Sequence, residues 1–146
     1  MTSSTRFSIA IHILCFLDFF KQERITSELL SMSVNTNPVV VRRITSLLKK
    51  AKLINTTTGL NANISLVRPV KDITLLDVYR AVIQPSNDDL FVIHKNTNPS
   101  CPVGSHIPSL LEDTYTKIEL VLQGELASIT VDTLVQDIMS KNTSTS

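Results

Sequence analysis

The alternation of apolar and polar residues predicts three helices in the first third of the chain. Residues 7–20 are apolar with helical spacing, and a polar break at 21–24 follows them. A short second helix is predicted from Thr26 to about residue 32. A third helix is predicted over residues 37–51, because asparagine caps helices well and a proline after it suits the first helical position.

Two short runs rich in β-favouring residues follow the third helix, at residues 53–58 and 64–67. The segment between them contains Gly59, Asn61 and Asn63, and glycine and asparagine both tolerate the positive φ that tight turns require. The pattern therefore predicts a β-hairpin.

The second half of the chain is predicted to be helical around one long loop. Helices are expected at about residues 75–83, 109–126 and 130–140. Residues 84–108 contain four prolines, including Pro85 and Pro108, and are predicted to form a loop.

The order helix, helix, turn, helix, hairpin is typical of a winged helix-turn-helix. We therefore expect a mainly α fold with a small β-hairpin wing, followed by a long helix suited to dimerisation. The expected division is a DNA-binding domain at 1–84, a sensor or linker loop at 85–108, and a dimerisation helix with a C-terminal helix at 109–146.

Composition narrows the class of protein. Hydrophobic residues make up 42% of the 146 residues, which is enough for a folded core, and three glycines argue against a glycine-rich phosphate loop. Cys15 and Cys101 are too few for a disulfide framework. The chain shows neither a secretory leader nor an apolar run of membrane-spanning length, so we expect a cytoplasmic protein with reduced thiols.

Charge is distributed unevenly, although the net charge is only +1. No acidic residue lies between Glu28 and Asp72. The basic residues of that stretch are Arg42, Arg43, Lys49, Lys50, Lys52, Arg68 and Lys71. Such asymmetry favours a surface that faces a polyanion, and the alternative is an ordinary solvated basic face.

The third helix separates apolar from cationic positions when it is projected at 100° per residue. The side expected on the core carries Val41, Ile44, Leu47, Leu48 and Ala51. The opposite side carries Val39, Arg42, Arg43, Ser46, Lys49 and Lys50, and we expect no acidic residue to interrupt it.

These positions suit a helix that enters the major groove, where the N-terminal turns meet base edges. Arginine can pair with guanine, valine can meet a thymine methyl, and the later lysines suit phosphates. The start of the second helix offers backbone N–H groups to a phosphate, and the hairpin would be the wing. The predicted DNA contacts are Thr26, Ser27, Asn37, Val39, Val40, Arg42, Arg43, Ser46, Lys49, Lys50, Thr58, Gly59 and Asn61.

The chain also resembles a known family over about residues 3–140. The matching segments are 25–30, 41–54 and, most specifically, the Ile-Thr-Leu-Leu-Asp-Val-Tyr-Arg-Ala-Val stretch at 73–82. These resemble the Rrf2 family of bacterial winged-helix regulators, related to IscR, NsrR and CymR, and residues 98–107 resemble its YwnA-like branch.

The resemblance implies a homodimer built on the long helix, binding double-stranded DNA at a palindromic operator. Repression is favoured over activation, because a dimer on a promoter blocks polymerase without a further surface. The sequence allows this, because one stripe of the helix is apolar at steps of three and four. The expected interface residues are Ile107, Leu111, Tyr115, Ile118 and Leu122. The alternative is a helix fully buried within a monomer.

Two departures from the family matter. Members that hold an iron–sulfur cluster carry three cysteines before the dimer helix, whereas this loop offers only Cys101, so we expect no cofactor and no metal site. An iron–sulfur cluster completed by first-helix residues, such as the partner subunit's His12, is the remaining alternative. The wing also lacks the family's usual glycine-rich, aromatic sequence, which leaves its DNA contacts in question.

Cys101 is a candidate redox switch. His94, Lys95 and His106 lie within seven residues of it, and cationic neighbours lower a thiol pKa. Oxidation next to the dimer helix could change the spacing of the two DNA-binding heads. The alternative is that Cys101 is an inert loop cysteine. Cys15 lies in an apolar helix and is expected to be a small buried hydrophobic residue.

Three other functions compete with this interpretation. One is a regulator that answers a small molecule and has no redox role. Another is a regulator fold that binds a protein partner instead of DNA. The third is a thiol enzyme with Cys101 as nucleophile and His94 or His106 as base, although the sequence shows no third orienting residue, so we expect no enzyme.

Overall fold

The computed structural model describes residues 1–84 and 91–144. Within them, helices and one small hairpin account for the regular structure. The elements are α1 (Ser3–Phe19), α2 (Ser27–Val34), α3 (Pro38–Lys50), β1 (Ile54–Thr57), β2 (Asn63–Leu66), a 3₁₀ turn (Val70–Asp72), α4 (Leu75–Val82), α5 (Ile107–Ser128) and α6 (Val131–Ser144). The predicted fold class, mainly α with a β-hairpin wing, is confirmed.

Side-chain caps fix the starts of the first three helices. The Thr2 hydroxyl accepts a hydrogen bond from the Thr5 amide, and the Thr26 hydroxyl accepts one from the Leu29 amide at 3.2 Å. The Asn37 side chain accepts from the Val39 amide at 2.8 Å, with Pro38 in the first turn of α3. These hydrogen bonds satisfy amide groups that a helix start otherwise leaves unpaired. The predicted starts of these three helices are correct to within a few residues.

A reciprocal cap begins α4. The Thr74 hydroxyl accepts from the Asp77 amide at 3.1 Å, while the Asp77 carboxylate accepts from the Thr74 amide at 2.9 Å. The Asp77 carboxylate also forms an ion pair with Arg68 at 3.1 Å. Arg68, counted above among the basic residues of a polyanion-facing stretch, therefore supports the start of α4.

A single hydrophobic cluster joins the head of the molecule to its C-terminal helices. Ile13, Leu14, Ile44, Leu48 and Val78 are fully buried in it. The C-terminal helices add Leu126, Val131 and Val135 to the same cluster. The division of the chain into domains at residues 84 and 108 stays a prediction, and residues 85–90, including Pro85, lie outside the described residues.

Backbone hydrogen bonds fasten the junction of α5 and α6 to the start of α4. The Leu75 amide donates to Ile129 O at 2.8 Å, and the Val131 amide donates to Ile73 O at 2.9 Å. These bonds form an isolated antiparallel bridge between Thr74 and Thr130. The bridge fixes where the long helix leaves the head.

The hairpin is antiparallel, with Ile54 opposite Leu66 and Thr57 opposite Asn63. Gly59 takes a φ of +90° in the connection, the left-handed region that glycine enters without strain. The predicted strands were one residue too long at each end of β1 and one residue late for β2, because alternation alone does not fix register.

The last two helices, α5 and α6, are longer than predicted, whereas α4 ends one residue before its predicted end, and the 3₁₀ turn at Val70–Asp72 was not predicted. The long helix begins at Ile107 because Pro108 fits its first turn. An N–H group there has no intrahelical partner, so proline loses no hydrogen bond. The last helix continues to Ser144, beyond the expected end at residue 140. Residues 141–144 are all polar, so apolar spacing does not predict that extension.

The longest helix, α5, has 22 residues and exposes several apolar side chains, with Leu110 59% and Val121 74% exposed. Charged residues such as Glu112 and Lys117 lie between them. Over the residues that the structure describes, no helix combines the length and apolar character that a membrane span requires.

Leu48→Ala tests the seating of α3 on the core. The side chain is fully buried, so we expect a loss of about 2–5 kcal/mol in the free energy of unfolding. Leu60→Ala is the matched control, because Leu60 is 95% exposed and its truncation should change stability by less than about 0.5 kcal/mol. Urea unfolding followed by circular dichroism measures both, and equal effects would contradict the core assignment.

Candidate nucleic-acid interface

The third helix, α3, presents two chemically different faces. Val41, Ile44 and Leu48 are buried against the core. The predicted outward positions are all exposed, namely Val39, Arg42, Arg43, Ser46, Lys49 and Lys50. The amphipathic prediction is therefore correct, except that Ala51, expected on the core side, is exposed where the helix ends.

The turn between α2 and α3 depends on one left-handed residue. Asn35 has a φ of +61° at the end of α2, and its amide and that of Thr36 both donate to Ser31 O. Asparagine accepts this conformation more readily than most residues. The tight turn brings the start of α3 back beside α2, with Asn37 exposed at its N-cap.

A cleft of about 440 Å³ lies between α2, α3 and the hairpin. Thr26, Ser27 and Glu28 line it from α2, and Arg42 lines it from α3. Thr57, Thr58 and Gly59 line it from the hairpin. The fold thus brings together the three regions that the sequence predicted to contact DNA.

The cleft also contains an acidic residue that α2 contributes, although the outward face of α3 itself carries no acidic residue, as predicted. Glu28 Oε1 accepts a hydrogen bond from Arg42 Nη2 at 3.2 Å. Its pKa is lowered first by its own backbone N–H and then by Arg42. Among the described residues, no ion pair is found for Arg43, Lys49 or Lys50.

Arg24 anchors the hairpin, a role that sequence reasoning missed. Its Nε donates to Ala62 O at 2.7 Å and its Nη2 donates to Leu60 O at 3.0 Å. Ile25 adds two bonds, since its amide donates to the Asn63 side chain and its carbonyl accepts from the Ile64 amide, each at 2.9 Å. The wing is therefore fixed to the segment that precedes α2.

The tip of the wing projects into solvent. Thr58, Gly59 and Asn61, the predicted wing contacts, are all exposed. Thr57 Oγ1 donates to Asn61 O at 3.1 Å and accepts from the Asn63 amide at 3.0 Å, so the connection is held from within. Leu60 at the same tip is also 95% exposed, so the wing presents one apolar side chain among its polar groups.

The predicted dimer stripe is only partly exposed. Ile107, Leu111, Tyr115 and Leu122 are half-buried, and Ile118 is 44% exposed. Leu122 packs against the core, and Tyr115 stacks on Phe91 with ring centroids 4.9 Å apart. The greatest apolar exposure on this helix lies beside the stripe, at Leu110, Leu120 and Val121.

Cys101 lies in a tight loop that leads into α5. Its amide donates to Asn98 O at 3.2 Å, and its carbonyl accepts from the Ser105 amide at 3.0 Å. The pKa of the Cys101 thiol is lowered because the backbone N–H groups of Gly104 and Val103 donate to the sulfur. The sequence predicts a lowered pKa for Cys101 because His94, Lys95 and His106 are nearby. The predicted direction of the pKa shift is correct, but its cause is the loop backbone.

Cys15 behaves in the opposite way. It is buried within α1, and burial raises the pKa of its thiol to about 11, with Asp18 contributing. The expectation of a small buried hydrophobe is confirmed.

Within the part of one chain that the structure describes, the side chains do not fit a metal centre. Over the described residues, no group of three or more histidine, cysteine, aspartate or glutamate side chains is placed to hold a metal ion. An iron–sulfur cluster needs several thiolates, and of the two cysteines here Cys15 is in the core while Cys101 is in the loop.

The two thiols should differ in reactivity. We expect iodoacetamide to alkylate Cys101 at neutral pH with a midpoint below that of an ordinary thiol, because the backbone N–H groups stabilise its thiolate. Cys15 should react only on unfolding. Mass spectrometry of the tryptic peptides across a pH series measures both, and equal labelling in the folded protein would contradict this assignment.

Comparison with known proteins matches the chain to one family. The model of the Rrf2 family, described as an iron-dependent transcriptional regulator, matches residues 3–137. YwnA of Bacillus subtilis, which carries the name of an HTH-type transcriptional regulator, is 44% identical over 125 residues, covering 86% of this chain and 90% of YwnA.

Solved structures are similar over nearly the whole chain. A crystal structure described as a DNA-binding protein is 39% identical, with a TM-score of 0.67, covering 92% of this chain and 98% of that one. A transcriptional regulator from Lactobacillus plantarum is 27% identical, with a TM-score of 0.78 and coverage of 91% and 89%. IscR from T. potens, at 15% identity, a TM-score of 0.65 and coverage of 94% and 86%, shares the fold.

The family description and the name of YwnA both refer to transcriptional regulators. The chain belongs to the Rrf2 family of transcriptional regulators.

Proposed function

We propose that the protein is a repressor that binds a palindromic DNA operator as a homodimer. The observation that carries this proposal is the outward face of α3, where four cationic side chains stand exposed above a fully buried apolar face. A helix held in this way can enter the major groove while its own head supports it. The name of YwnA, as a transcriptional regulator, supports the same function.

Position along α3 suggests a division of roles. Val39, Arg42 and Arg43 lie in the first two turns, where base edges are within reach. Lys49 and Lys50 lie in the last turn and suit phosphates, which position the protein without reading sequence. Thr26, Ser27 and the exposed wing tip would contact the backbone on either side.

Exposed apolar side chains on α5 support the homodimer. Leu110, Leu120 and Val121 remain in solvent in one chain, and burying them against a second copy would remove this apolar surface from water. Two heads related by a two-fold axis would read half-sites about one helical turn apart, or a multiple of it. A dimer across a promoter blocks polymerase without a further surface, which favours repression.

The geometry at Cys101 favours a redox signal as a second element of this function. Peroxide would oxidise the thiolate to a sulfenic acid and be reduced to water. The Val103 carbonyl, two residues on, accepts the His106 and Ile107 amides, so the loop continues directly into α5. A change at the sulfur can therefore alter how α5 holds the two heads.

The paired variant Arg42→Ala/Arg43→Ala tests DNA binding. Each arginine can form a bidentate pair with guanine, so we expect operator affinity to fall on the order of 100-fold or more. The control Lys71→Ala/Arg80→Ala removes the same charge outside the α2–α3–wing cleft and should bind nearly as wild type. Fluorescence anisotropy measures both, and a double variant that binds normally would favour a protein-interaction role.

Cys101→Ser tests the redox element. Wild type should release its operator after peroxide treatment and rebind after thiol reduction, whereas the serine variant should stay bound throughout. Cys15→Ser is the control and should respond as wild type, because its buried thiol is protonated at neutral pH. Release by the Cys101→Ser variant would remove the cysteine from the mechanism, and a wild type indifferent to oxidants would favour a small-molecule effector.

A further inference from the structure

The ion pair between Glu28 and Arg42 connects two helices on the proposed DNA-binding face. Glu28 lies in the first turn of α2, and Arg42 lies in the second turn of α3. Their side chains meet at 3.2 Å within the cleft that the wing also lines. The carboxylate therefore stands where the proposed function places the DNA.

Folding stability gives little reason for this pair. The side chains of Arg42 and Glu28 are 55% and 67% exposed, and exposed ion pairs contribute little to stability. Other contacts already join the two helices, because Leu30 of α2 and Val41 of α3 are both fully buried in the core. The effect of this ion pair is therefore expected in binding rather than in folding.

The pairing changes what Arg42 offers to DNA. Non-specific affinity comes from cations that neutralise phosphates and release counterions. An arginine already paired with a carboxylate contributes less to that effect, and the carboxylate itself repels a nearby phosphate.

A guanine edge is a different competitor for Arg42. It presents two acceptors, O6 and N7, in the plane of the guanidinium. The bond to Glu28 occupies one of the five N–H donors of that group, so the remaining donors can meet a base while the carboxylate stays near. The pair thus disfavours phosphate contact more than it disfavours base contact.

We infer that Glu28 is a specificity-determining residue, which acts through Arg42 to lower affinity for non-specific DNA more than affinity for the operator. This inference rests on the proposed function, since it assumes that α3 faces DNA. It assigns to α2 a role in discrimination beyond the phosphate contact expected at Thr26 and Ser27.

Glu28→Gln tests the inference, because it keeps the size of the side chain and removes the charge. The probes are a duplex selected by wild type from a random pool and a scrambled duplex of equal length. We expect the variant to bind the scrambled duplex about tenfold tighter and the selected duplex with a smaller change. The slope of log affinity against log salt on scrambled DNA should steepen by about 0.9 per protomer, as one more cation meets a phosphate.

Two controls separate the contact from the charge. Glu23→Gln removes the same charge from a residue that lines a different cavity, beside Leu17 and Pro69, and should leave the ratio of affinities unchanged. In an Arg42→Gln background, Glu28→Gln should no longer steepen the salt slope. Thermal unfolding of each variant should match wild type within a few degrees, which excludes a folding effect.

Each outcome decides between the claims. If wild type binds DNA and the Glu28→Gln variant has the same affinities and the same salt slope, the role of Glu28 is overturned. The proposed function then still stands. Failure of both proteins to bind any duplex overturns both claims. A variant that binds scrambled DNA when wild type does not supports both, because the carboxylate would then be the barrier.

Discussion

The burial of Val41, Ile44 and Leu48 beneath α3 is the constraint on which the rest of the head depends. Once that stripe is seated against the core, helical periodicity directs Arg42, Arg43, Lys49 and Lys50 outward. A rotation of the helix about its axis would have to expose the apolar stripe to water. The same hydrophobic burial that stabilises the fold therefore orients the cationic face.

Polar contacts then place the neighbouring elements around α3. Asn35 turns the chain between α2 and α3, and Arg24 ties the wing to the segment before α2 through two backbone carbonyls. The residues that Arg24 joins are distant along the chain, whereas the turn at Asn35 is closed by hydrogen bonds to Ser31 nearby in sequence. Together they keep the start of α2, the start of α3 and the wing on one side of the molecule, as a single surface for DNA would require.

Sequence reasoning succeeded where the signal was periodic or local. The stripe of α3 is set by spacing within one helix, and the cap at Asn37 is set by adjacent residues, so both were predictable. The capping box of Thr74 and Asp77 likewise lies within four residues of the chain.

Contacts between separate elements could not be predicted in the same way. Glu28 and Arg42 are fourteen residues apart on different helices, so neither projection shows that they meet. The bonds of Arg24 to the wing and the bridge from Thr74 to Thr130 depend on tertiary packing. At Cys101 the cationic neighbours visible in the sequence suggested the right direction for the pKa, while the cause is the fold of the loop backbone.

We propose that α3, α2 and the wing together form the surface that meets DNA. Hydrogen exchange followed by mass spectrometry, with and without a duplex selected by the protein, tests it most directly. We expect new protection at residues 26–29, 37–43 and 57–62, with α6 unchanged apart from any dimer effect already present without DNA. Protection confined to α5 and α6, with α3 unaffected, would contradict it.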